Sequence, residues 1–510
     1  MADLKSTGRD RMSDERETEL KFLCEASDLE AVLAAAPQGE DARKTLVSTY
    51  YDTDGRDLWR EGLSVRVRLD GRGYTLTVKR GAGLSREERN LALVGPDPDF
   101  SSPPVLSLLP EAEGRTLVPV FTVRVERATR RIQFEGARIE IACDTGAVSA
   151  GALLHPLCEV ELELLEGPEA ALFDLARSLA PAAPLRLSFD TKAARGYRLA
   201  GLAGEAEAAT SFPRRSAGFC ELSIVDGFRA LARPALMQVL RNAAELQTSP
   251  GARGVHQLRI GLRRLRSAIS TFRPLLRQEV EAALVDELRW LGRSSAEVRA
   301  YDVLAPRMLD AAKDQPAPLR GLGELCDAVE TRHVAARTRL VAEVSCARFR
   351  SLVLDACELI ETSLGVREDT DPDAPLAPFL RKALDRRLKR LLKASMDLRS
   401  AGDETRHAAR LEAKKLRYMG EGVLELGPDT DPDRARRYLR RLKSLQDELG
   451  ALNDAVSLDQ FFASMRLEGP ALYAAGVLAG RAEAEARAHL HAAIRERHAL
   501  ARKRPFWRTL

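Results

Sequence analysis

The pattern of hydrophobic and polar positions divides the chain into two parts. Up to about residue 200, short segments alternate between apolar and polar residues with a period of two, which is typical of β-strands. Eight segments show this pattern: Glu17–Cys24, Thr45–Asp52, Leu63–Asp70, Tyr74–Arg80, Glu88–Leu93, Arg130–Phe134, Arg138–Asp144 and Cys158–Leu164. Two others, Ser27–Ala36 and Pro168–Leu179, have a helical pattern. Many strands joined by short turns predict an antiparallel barrel or sandwich.

From about Leu222 onward the pattern changes to long amphipathic helices rich in Ala, Leu, Arg and Glu. This part contains an internal repeat, because HQLRIGLRRLR at residues 256–266 matches HAARLEAKKLR at residues 407–417 with a constant offset of 151. Phe228 and Phe379 keep the same offset, and Asp302 corresponds to Asp454. The repeat predicts two similar helical bundles packed as a pseudo-dimer.

The predicted fold class is therefore α+β. Residues 15–200 form a β-rich domain with flanking helices, residues 201–221 a linker, and residues 222–507 an all-α domain with repeats at about 222–370 and 371–507. Residues 1–220 hold 29 Lys and Arg against 35 Asp and Glu, whereas residues 221–510 hold 50 against 40. The basic half indicates an anionic partner.

The sequence also predicts where the protein works. No apolar run reaches the roughly 18 residues that a membrane helix needs, and the N-terminal residues lack the apolar core of a signal peptide. The seven cysteines are scattered and form no C-x-x-C pair, which is typical of reduced, buried thiols. We therefore expect a cytoplasmic protein with no membrane partner.

Charged residues keep the same parity on one strand after another in the first part. They are Glu17, Glu19, Lys21, Arg66, Arg68, Lys79, Arg86, Glu88, Arg138, Glu140, Asp144, Glu159, Glu161 and Glu163. The solvated outer face of a sandwich would explain one such stripe, but here at least five strands carry both signs. A closed barrel with a polar interior explains them all. Carboxylates suit hard divalent cations, and arginines and lysines suit phosphates, so the pattern indicates a phosphate and metal site.

These segments resemble the CYTH superfamily, the triphosphate tunnel metalloenzymes, over roughly residues 16–199. The resemblance is carried by E-x-E-x-K on the first strand and by the ordered series YYDT, LSVRVR, TVK, REERN, RIEIACD and CEVELEL. It implies an eight-stranded tunnel that uses Mg²⁺ or Mn²⁺ to hydrolyse inorganic triphosphate or short polyphosphate. An adenylate cyclase or thiamine triphosphatase on the same tunnel, and a non-catalytic polyphosphate-binding protein, are the alternatives.

Residue roles follow from the resemblance position by position. It assigns metal binding to Glu17, Glu19, Asp144, Glu159 and Glu161. It assigns phosphate binding to Lys21, Arg66, Arg68, Lys79, Arg127 and Lys192, with Arg124, Arg130 and Arg131 as alternatives to Arg127. The catalytic candidates are Glu161, Glu163 and Lys79, and Glu161 is preferred for orienting the attacking water. No histidine, cysteine or serine is placed as a nucleophile, so the implied reaction is in-line attack by water.

Basic residues of each helical repeat fall on one helical face. His256, Arg259, Arg263 and Arg266 are matched by His407, Arg410, Lys414 and Arg417. A solvated basic stripe would explain one such face, but two stripes without the usual intervening acids indicate that an anion binds there. The H-x-x-R-x-x-x-[RK]-[RK]-L-R repeat resembles the CHAD domain over about residues 222–507.

The CHAD resemblance implies that these eight residues bind polyphosphate, with the two histidines as phosphate donors or as buried orienting residues. Tripolyphosphate and inorganic polyphosphate are therefore the expected partners. Zinc is disfavoured because neither histidine has a cysteine or aspartate at ligand spacing. Nucleic acid is disfavoured because aromatic residues make up only 5% of the chain and no stacking platform is visible.

Overall fold

The computed structural model describes residues 13–81, 83–201, 219–249, 251–313, 319–362, 365–427 and 430–510. Most of the predicted linker lies outside these ranges. The chain divides into two compact units, with boundaries after Ser216, after Cys346 and after Leu364. The first unit contains the β-rich part together with the segment 347–364, and the second contains the other helices. Within the described ranges, no helix has the length and apolarity to cross a membrane.

The first unit is built on one antiparallel sheet. Its strands are β1 Ser13–Leu23, β2 Glu40–Asp52, β3 Leu63–Leu69, β4 Tyr74–Arg80, β5 Ser85–Leu93, β6 Val118–Phe134, β7 Ala137–Ala150, β8 Leu153–Glu166 and the short β9 Arg186–Leu187. The order is β5-β4-β3-β2-β6-β7-β8-β1-β9, and β1 also pairs with β5. Strands β1 to β8 thus close into a barrel, which confirms the predicted eight-stranded fold.

Several observed elements differ from the predicted segments. Strand β6 begins at Val118, well before the predicted start at Arg130, because it pairs with β2 between Val118 and Arg131 and with β7 from Thr122 to Phe134. Hydrogen bonds to neighbours on both sides extend strands past the region of clear alternation. Helices α1 Leu29–Ala35 and α4 Ala170–Leu179 match the predicted helices. Helices α2 Asp57–Arg60, α3 Pro103–Leu108 and α5 Lys192–Leu199 were not predicted.

The apolar face of strands β3, β4 and β5 packs outside the barrel. Leu63, Val65 and Val67 of β3 form one buried cluster with residues of β4 and β5 and with helices α2 and α3. Their sequence neighbours on the opposite parity, Arg66 and Arg68, consequently point inward. The alternation seen in the sequence therefore separates an apolar outer layer from a charged interior.

Helix α5 fills one end of the barrel interior. Its residues Ala193 and Tyr197 are buried in a cluster with Phe121 of β6 and with apolar residues of β2, β7 and β8. A Cβ on Gly196 would lie 2.0 Å from the Phe121 ring, so the helix approaches β6 this closely only because residue 196 has no side chain. The Tyr197 hydroxyl donates to Asp52 Oδ2 at 2.7 Å, which fixes the helix to the end of β2. Apolar side chains and α5 thus close this end.

One helix of the C-terminal half belongs to the first unit. This is α10 Ala347–Glu361, which packs against α4 and β9. Arg177 of α4 forms ion pairs with Asp355, at 2.9 Å, and with Glu358 of α10. The barrel unit is therefore assembled from two separate stretches of sequence.

Within its described residues, the second unit contains two sets of four α-helices in the same order. They are α6 Ile224–Thr248, α7 Ala252–Phe272, α8 Gln278–Lys313 and α9 Leu322–Ser345, then α11 Leu376–Ala394, α12 Asp403–Glu425, α13 Pro432–Ser464 and α14 Gly469–Ala501. Phe228 of the first set and Phe379 of the second both pack on Phe272, with ring centroids 5.4 and 5.1 Å apart. Helices α7 and α12, which carry the repeated basic motif, contact each other.

Candidate functional site

The register of the barrel strands places opposite charges directly across from each other. The facing pairs are Glu17 and Arg86, Lys79 and Glu88, Lys21 and Glu161, and Arg127 and Asp144. Directly opposed residues in an antiparallel pair approach within about 5 Å, so the register turns the alternating charges of the sequence into ion pairs. All eight side chains are buried or half-buried.

One group of these charges lies on strands β1, β4 and β5. Lys79 Nζ lies 2.5 Å from Glu17 Oε2 and 2.7 Å from Glu88 Oε2, and Arg86 pairs with Glu17 and Glu19. Burial alone would raise the pKa of Glu17, but Lys79 and Arg86 outweigh it and lower this pKa. Lys79 and Arg66 likewise outweigh burial and lower the pKa of Glu88 to about 2. These carboxylates are therefore ionised at neutral pH.

The second group is a triad of buried carboxylates on β7 and β8. One oxygen from each of Asp144, Glu159 and Glu161 lies within 4.8 Å of the others. The triad arises because Asp144 faces Glu159 across the ladder and Glu161 follows two residues later on the same face. Arg127 binds Asp144 at 2.6 Å and Glu161 at 2.5 Å. Arg127 and the lysines around Glu161 overcome the effect of burial and hold the pKa of Glu161 well below its usual range.

Helix α5 brings two more cations to the triad. The Thr191 side chain accepts a hydrogen bond from Ala194 N, so the helix begins at Lys192 and its first turn faces the carboxylates. Lys192 Nζ lies 2.8 Å from Asp144 and also binds Glu159 and Glu161, while Arg195 lies 2.8 Å from Glu159 Oε2. Burial opposes the charge of Lys192, but the three carboxylates raise its pKa.

Two arginines of β3 have a different environment. In the described part of the chain, neither Arg66 nor Arg68 has a carboxylate within ion-pair distance. Arg66 is hydrogen-bonded to Tyr50, and Arg68 Nε donates to Ser48 Oγ at 3.1 Å. Burial, together with Arg66 and Arg127, lowers the pKa of Arg68 to about 10. Among the described residues, these two interior side chains thus carry positive charge without a directly bonded carboxylate.

Two other predicted residues, Glu163 and Lys21, also lie in the barrel interior. Glu163 faces Glu19 on one side and Glu140 on the other, and burial and the carboxylates of Glu17 and Glu19 raise its pKa to about 7. Lys21 lies 3.0 Å from Glu161 and 3.7 Å from Glu19, which connects the two charged groups.

Of the four arginines proposed for one phosphate position, only Arg127 is buried. Arg124 is exposed, Arg130 pairs with Asp41, and Arg131 pairs with Glu140. Arg138, which the alternation placed in phase with the interior charges, is exposed and lies 3.7 Å from Glu166.

Sequence reasoning left two interior cations out of the predicted site. Arg86 had the correct parity on β5, and Arg195 lies three residues after Lys192, a spacing that puts both on one face of a helix. The YYDT motif has a structural explanation instead. Its Asp52 accepts hydrogen bonds from the backbone of Thr53, Leu58 and Trp59, besides the Tyr197 hydroxyl.

The second unit has a basic cluster where α7 meets α12. Lys414 of α12 lies among Arg259 and Arg263 of α7 and Arg410 and Arg417 of α12, and burial together with these arginines lowers its pKa to about 7. Burial, Arg263 and Arg299 lower the pKa of Arg259 to about 10. Burial and Arg289 lower the pKa of Arg266. The two predicted basic faces thus converge and repel each other.

Contacts of the cluster with other side chains are few. The guanidinium carbons of Arg263 and Arg417 lie 5.2 and 4.3 Å from the Tyr418 ring centroid. Arg417 also pairs with Glu421, and Arg410 lies 3.5 Å from Asp454. Acids outside the repeated motif therefore offset part of the positive charge.

Neither histidine of the motif is a buried orienting residue. His256 is half-buried, and burial and Arg299 lower its pKa. His407 is exposed, and its Nδ1 lies 2.5 Å from Asn453 Oδ1 beside a cavity of about 340 Å³.

Comparison with known sequences divides the chain in the same way. The CYTH domain family matches residues 15–197, and the CHAD domain family matches residues 230–463. An inorganic triphosphatase of Haemophilus influenzae is 32% identical over 161 residues, which span 30% of this chain and 46% of that protein. The chain thus aligns with less than half of that relative. An uncharacterized protein of Mycobacterium tuberculosis is 25% identical over 453 residues, covering 82% of this chain and 83% of that protein.

Solved structures resemble each part separately. The CHAD domain of Ricinus communis is 24% identical, with a TM-score of 0.46, and covers 56% of this chain and 96% of its own. A Hippeastrum protein, described as having a dominant triphosphatase activity, is 19% identical with a TM-score of 0.29, and covers 36% of this chain and 96% of its own.

Proposed function

We propose that this chain, which joins a CYTH domain to a CHAD domain, hydrolyses inorganic triphosphate and short polyphosphate in its barrel and binds polyphosphate on its helical unit. The observation that carries the first part is the barrel interior, where a carboxylate triad lies beside converging lysines and arginines. Such a pairing suits a polyanion accompanied by a divalent cation.

The carboxylate triad fits a hard divalent cation. Asp144, Glu159 and Glu161 offer three oxygens close together, and oxygen ligands are what Mg²⁺ and Mn²⁺ prefer. These residues would hold the cation, with Glu17 and Glu19 as further ligands at the other group of charges. Bound there, the cation supplies charge neutralisation for the phosphoryl oxygens.

The balance of charge in the interior supports a bound polyanion. Six carboxylates are ion-paired there with six basic groups: Glu17, Glu19, Glu88, Asp144, Glu159 and Glu161 with Lys21, Lys79, Arg86, Arg127, Lys192 and Arg195. Arg66 and Arg68 have no carboxylate within ion-pair distance in the described chain, so they bind the first phosphate. The other phosphates replace the carboxylates as ion-pair partners of the lysines and arginines. The carboxylates are then available to bind a cation.

The reaction is an in-line attack of water on the terminal phosphoryl group. Glu161 lies in the triad, and we assign to it the orientation of the attacking water, with Glu163 two residues along the same face in a supporting role. Lys79 stabilises the charge that develops on the departing phosphate. Arg127 holds the transferred group, because it reaches the triad from the neighbouring strand.

A matched pair of arginines on β6 tests the barrel assignment. Phosphate release from tripolyphosphate with Mg²⁺ or Mn²⁺ is measured for the full chain, for Arg127→Gln and for Arg124→Gln. We expect Arg127→Gln to lower kcat/KM by about 10²-fold, because it removes a buried donor to the transferred phosphate. We expect Arg124→Gln, which alters an exposed side chain of the same strand, to stay within about twofold.

Other substrates separate the alternatives. ATP, thiamine triphosphate and long-chain polyphosphate are assayed in parallel, and the ATP reaction is also analysed for a cyclic nucleotide. Phosphate release from tripolyphosphate that is lost in Glu17→Ala/Glu19→Ala supports the proposal. Absence of any turnover, or formation of cyclic nucleotide as the main reaction, contradicts it.

The helical unit is tested by binding rather than by turnover. Affinity for fluorescent long-chain polyphosphate is measured in EDTA for the full chain and for Arg263→Glu/Lys414→Glu. We expect the double variant to bind at least about tenfold more weakly and with a smaller salt dependence, because two phosphate contacts become repulsive. Arg436→Glu/Arg437→Glu, two exposed arginines of α13, is the charge-matched control. An equal loss in both variants contradicts a specific site.

A further inference from the structure

Lys414 differs from the lysines of the barrel interior in its surroundings. Lys21, Lys79 and Lys192 are each held by two or more carboxylates. Among the residues that the structure describes, no hydrogen bond or ion pair engages the Lys414 ammonium. Its side chain is half-buried, so it can still be reached from solvent.

The elements packed around Lys414 present mainly positive charge to it. Arg259 and Arg263 face it from α7, and Arg410 and Arg417 from α12. The carboxylates of this region are engaged elsewhere: Asp454 of α13 with Arg410, Glu421 with Arg417, and Glu412 with Lys415 at 2.7 Å and with Arg387 of α11 at 3.9 Å. Two of the four arginines around Lys414 are therefore paired with acids, whereas Arg259 and Arg263 have no carboxylate within ion-pair distance among the described residues.

This environment favours the neutral amine. Burial and the four arginines lower the pKa of Lys414 to about 7, so a large fraction of the amine is unprotonated at neutral pH. A neutral amine beside other cations is the form in which lysine acts as a nucleophile. The same arginines attract phosphate groups.

We propose that Lys414 is a site of acylation by acyl phosphates, which are mixed anhydrides of a carboxylic acid and phosphoric acid. The inference rests on the anion-binding role proposed for the same cluster. Arg259 and Arg263 bind the phosphate end of the reagent. Because the carbonyl carbon is joined to that phosphate through one oxygen, binding brings it within reach of Lys414 Nζ.

The chemical step needs no further reactant. The Nζ lone pair attacks the carbonyl carbon and forms an N–C bond, and the C–O bond to phosphate breaks. Inorganic phosphate leaves with the electron pair of that bond, and the proton released from the nitrogen passes to phosphate or water. The arginines stabilise the leaving group, and the product is a neutral amide.

Acylation prevents Lys414 from taking up a proton beside a bound polyanion, so the cluster loses one cation that could contact phosphate. The modified protein should therefore bind polyphosphate more weakly, since each lost phosphate contact lowers affinity and its salt dependence. The site would make polyphosphate binding responsive to the supply of activated acids.

Lys415 provides a matched control one residue away. It is more exposed and pairs with Glu412, and it is not in the arginine cluster. The full chain is incubated with acetyl phosphate in EDTA between pH 6 and 9, and acetylation of each lysine is quantified by peptide mass spectrometry. We expect an initial rate at Lys414 at least about tenfold above that at Lys415 at pH 7. The Lys414 rate should level off just above pH 7.

Three further comparisons make the test specific. Long-chain polyphosphate should suppress acetylation at Lys414 and leave Lys415 unchanged, and Arg263→Gln should slow the Lys414 reaction. An uncharged acetyl ester should react at Lys414 without inhibition by phosphate. Equal rates at the two lysines with acetyl phosphate would overturn the inference. So would a Lys414 preference that appears with the uncharged ester alone, because the arginines would then have no part in delivery.

The outcomes also separate this inference from the proposed function. Tight polyphosphate binding with no preference for Lys414 overturns the inference and leaves the binding proposal standing. Preferential acetylation of Lys414 without measurable polyphosphate binding supports the inference and overturns the binding proposal.

Discussion

The ammonium group of Lys414 lies among arginines of both helical repeats, and no acid neutralises it in the described structure. Folding brings these like charges together, which destabilises the folded state relative to the unfolded chain. A bound polyanion would offset this destabilisation. At this residue, stability and anion binding therefore have opposite requirements.

Replacing Lys414 should accordingly stabilise the protein. The pKa of about 7 in the folded state is below the roughly 10.4 of an unfolded chain, so the unfolded state binds more protons between these values. The penalty in the native protein is complete below pH 7 and disappears above about pH 10.4. We expect Lys414→Met to raise the free energy of unfolding by about 2 kcal/mol at pH 7 and by little at pH 10.5. Urea denaturation at both pH values measures the difference.

The control for this prediction is Lys415→Met. Its exposed side chain should change stability by no more than about 0.5 kcal/mol at either pH. A stability gain of the same size in both variants, or a Lys414→Met gain that does not depend on pH, would contradict the charge explanation.

Asp52, in the YYDT motif, is a polar residue with a structural role. Its fully buried carboxylate accepts three backbone N–H groups and the Tyr197 hydroxyl. We expect Asp52→Ala to destabilise the barrel unit by about 3 kcal/mol, since it leaves several buried donors without an acceptor. Chemical denaturation of the full chain monitors the effect, and Asp54→Ala, at an exposed neighbour, is expected to change little. A loss below about 1 kcal/mol would show that water replaces the carboxylate.

At the scale of elements, helix α5 connects the apolar end of the barrel to its charged part. Gly196 and Tyr197 pack against β6 and β2, and Lys192 and Arg195 at the other side of the helix reach the carboxylate triad. A displacement of the helix should therefore alter packing and charge together.

Gly196→Ala tests this coupling. The added Cβ would overlap the Phe121 ring, so the helix must move away from β6. We expect lower thermal stability and a loss of tripolyphosphate turnover of at least about tenfold, because Lys192 and Arg195 shift with the helix. Gly476→Ala in α14 is the matched control, because no atom lies within 4 Å of its Cβ position. Unchanged turnover in Gly196→Ala would show that the position of α5 is not critical.

Elements with strong periodicity could be predicted from the sequence, and those fixed by tertiary contacts could not. The parity of Arg66 and Arg68 on β3 correctly identified the interior face, since side chains alternate strictly along a strand. Helix α5 was missed because KAARGYRL contains a glycine and a short apolar pattern, and it is held by packing on Phe121. The ion-pair partners could not be predicted from the sequence either, because they depend on the register between strands.

At the scale of the whole molecule, the two units do not follow the order of the sequence. Helix α10 comes from the middle of the C-terminal half but packs with α4 and β9 in the barrel unit. Periodicity cannot reveal this arrangement, because α10 has the same amphipathic pattern as the helices around it. Its buried residues include Phe349, Leu352 and Val353, which indicates a substantial apolar contact.

A fragment that ends before the helical half should therefore be incomplete. We expect residues 1–201 alone to unfold roughly 5 °C below the barrel transition of the full chain, because α4 loses the apolar cover and the ion pairs of α10. Adding a peptide of residues 346–362 should restore part of the stability, whereas a scrambled peptide should not. Differential scanning calorimetry measures both effects. A fragment as stable as the full chain would contradict a structural role for α10.

The closure of one barrel end by α5 also determines how molecules enter and leave the barrel. A barrel with one blocked end has one opening, so under the proposed function the substrate and its products must pass through the same opening. The products must then leave before the next substrate molecule enters, and they compete with it for the same arginines. The far end of a long polyphosphate chain would remain outside the barrel throughout.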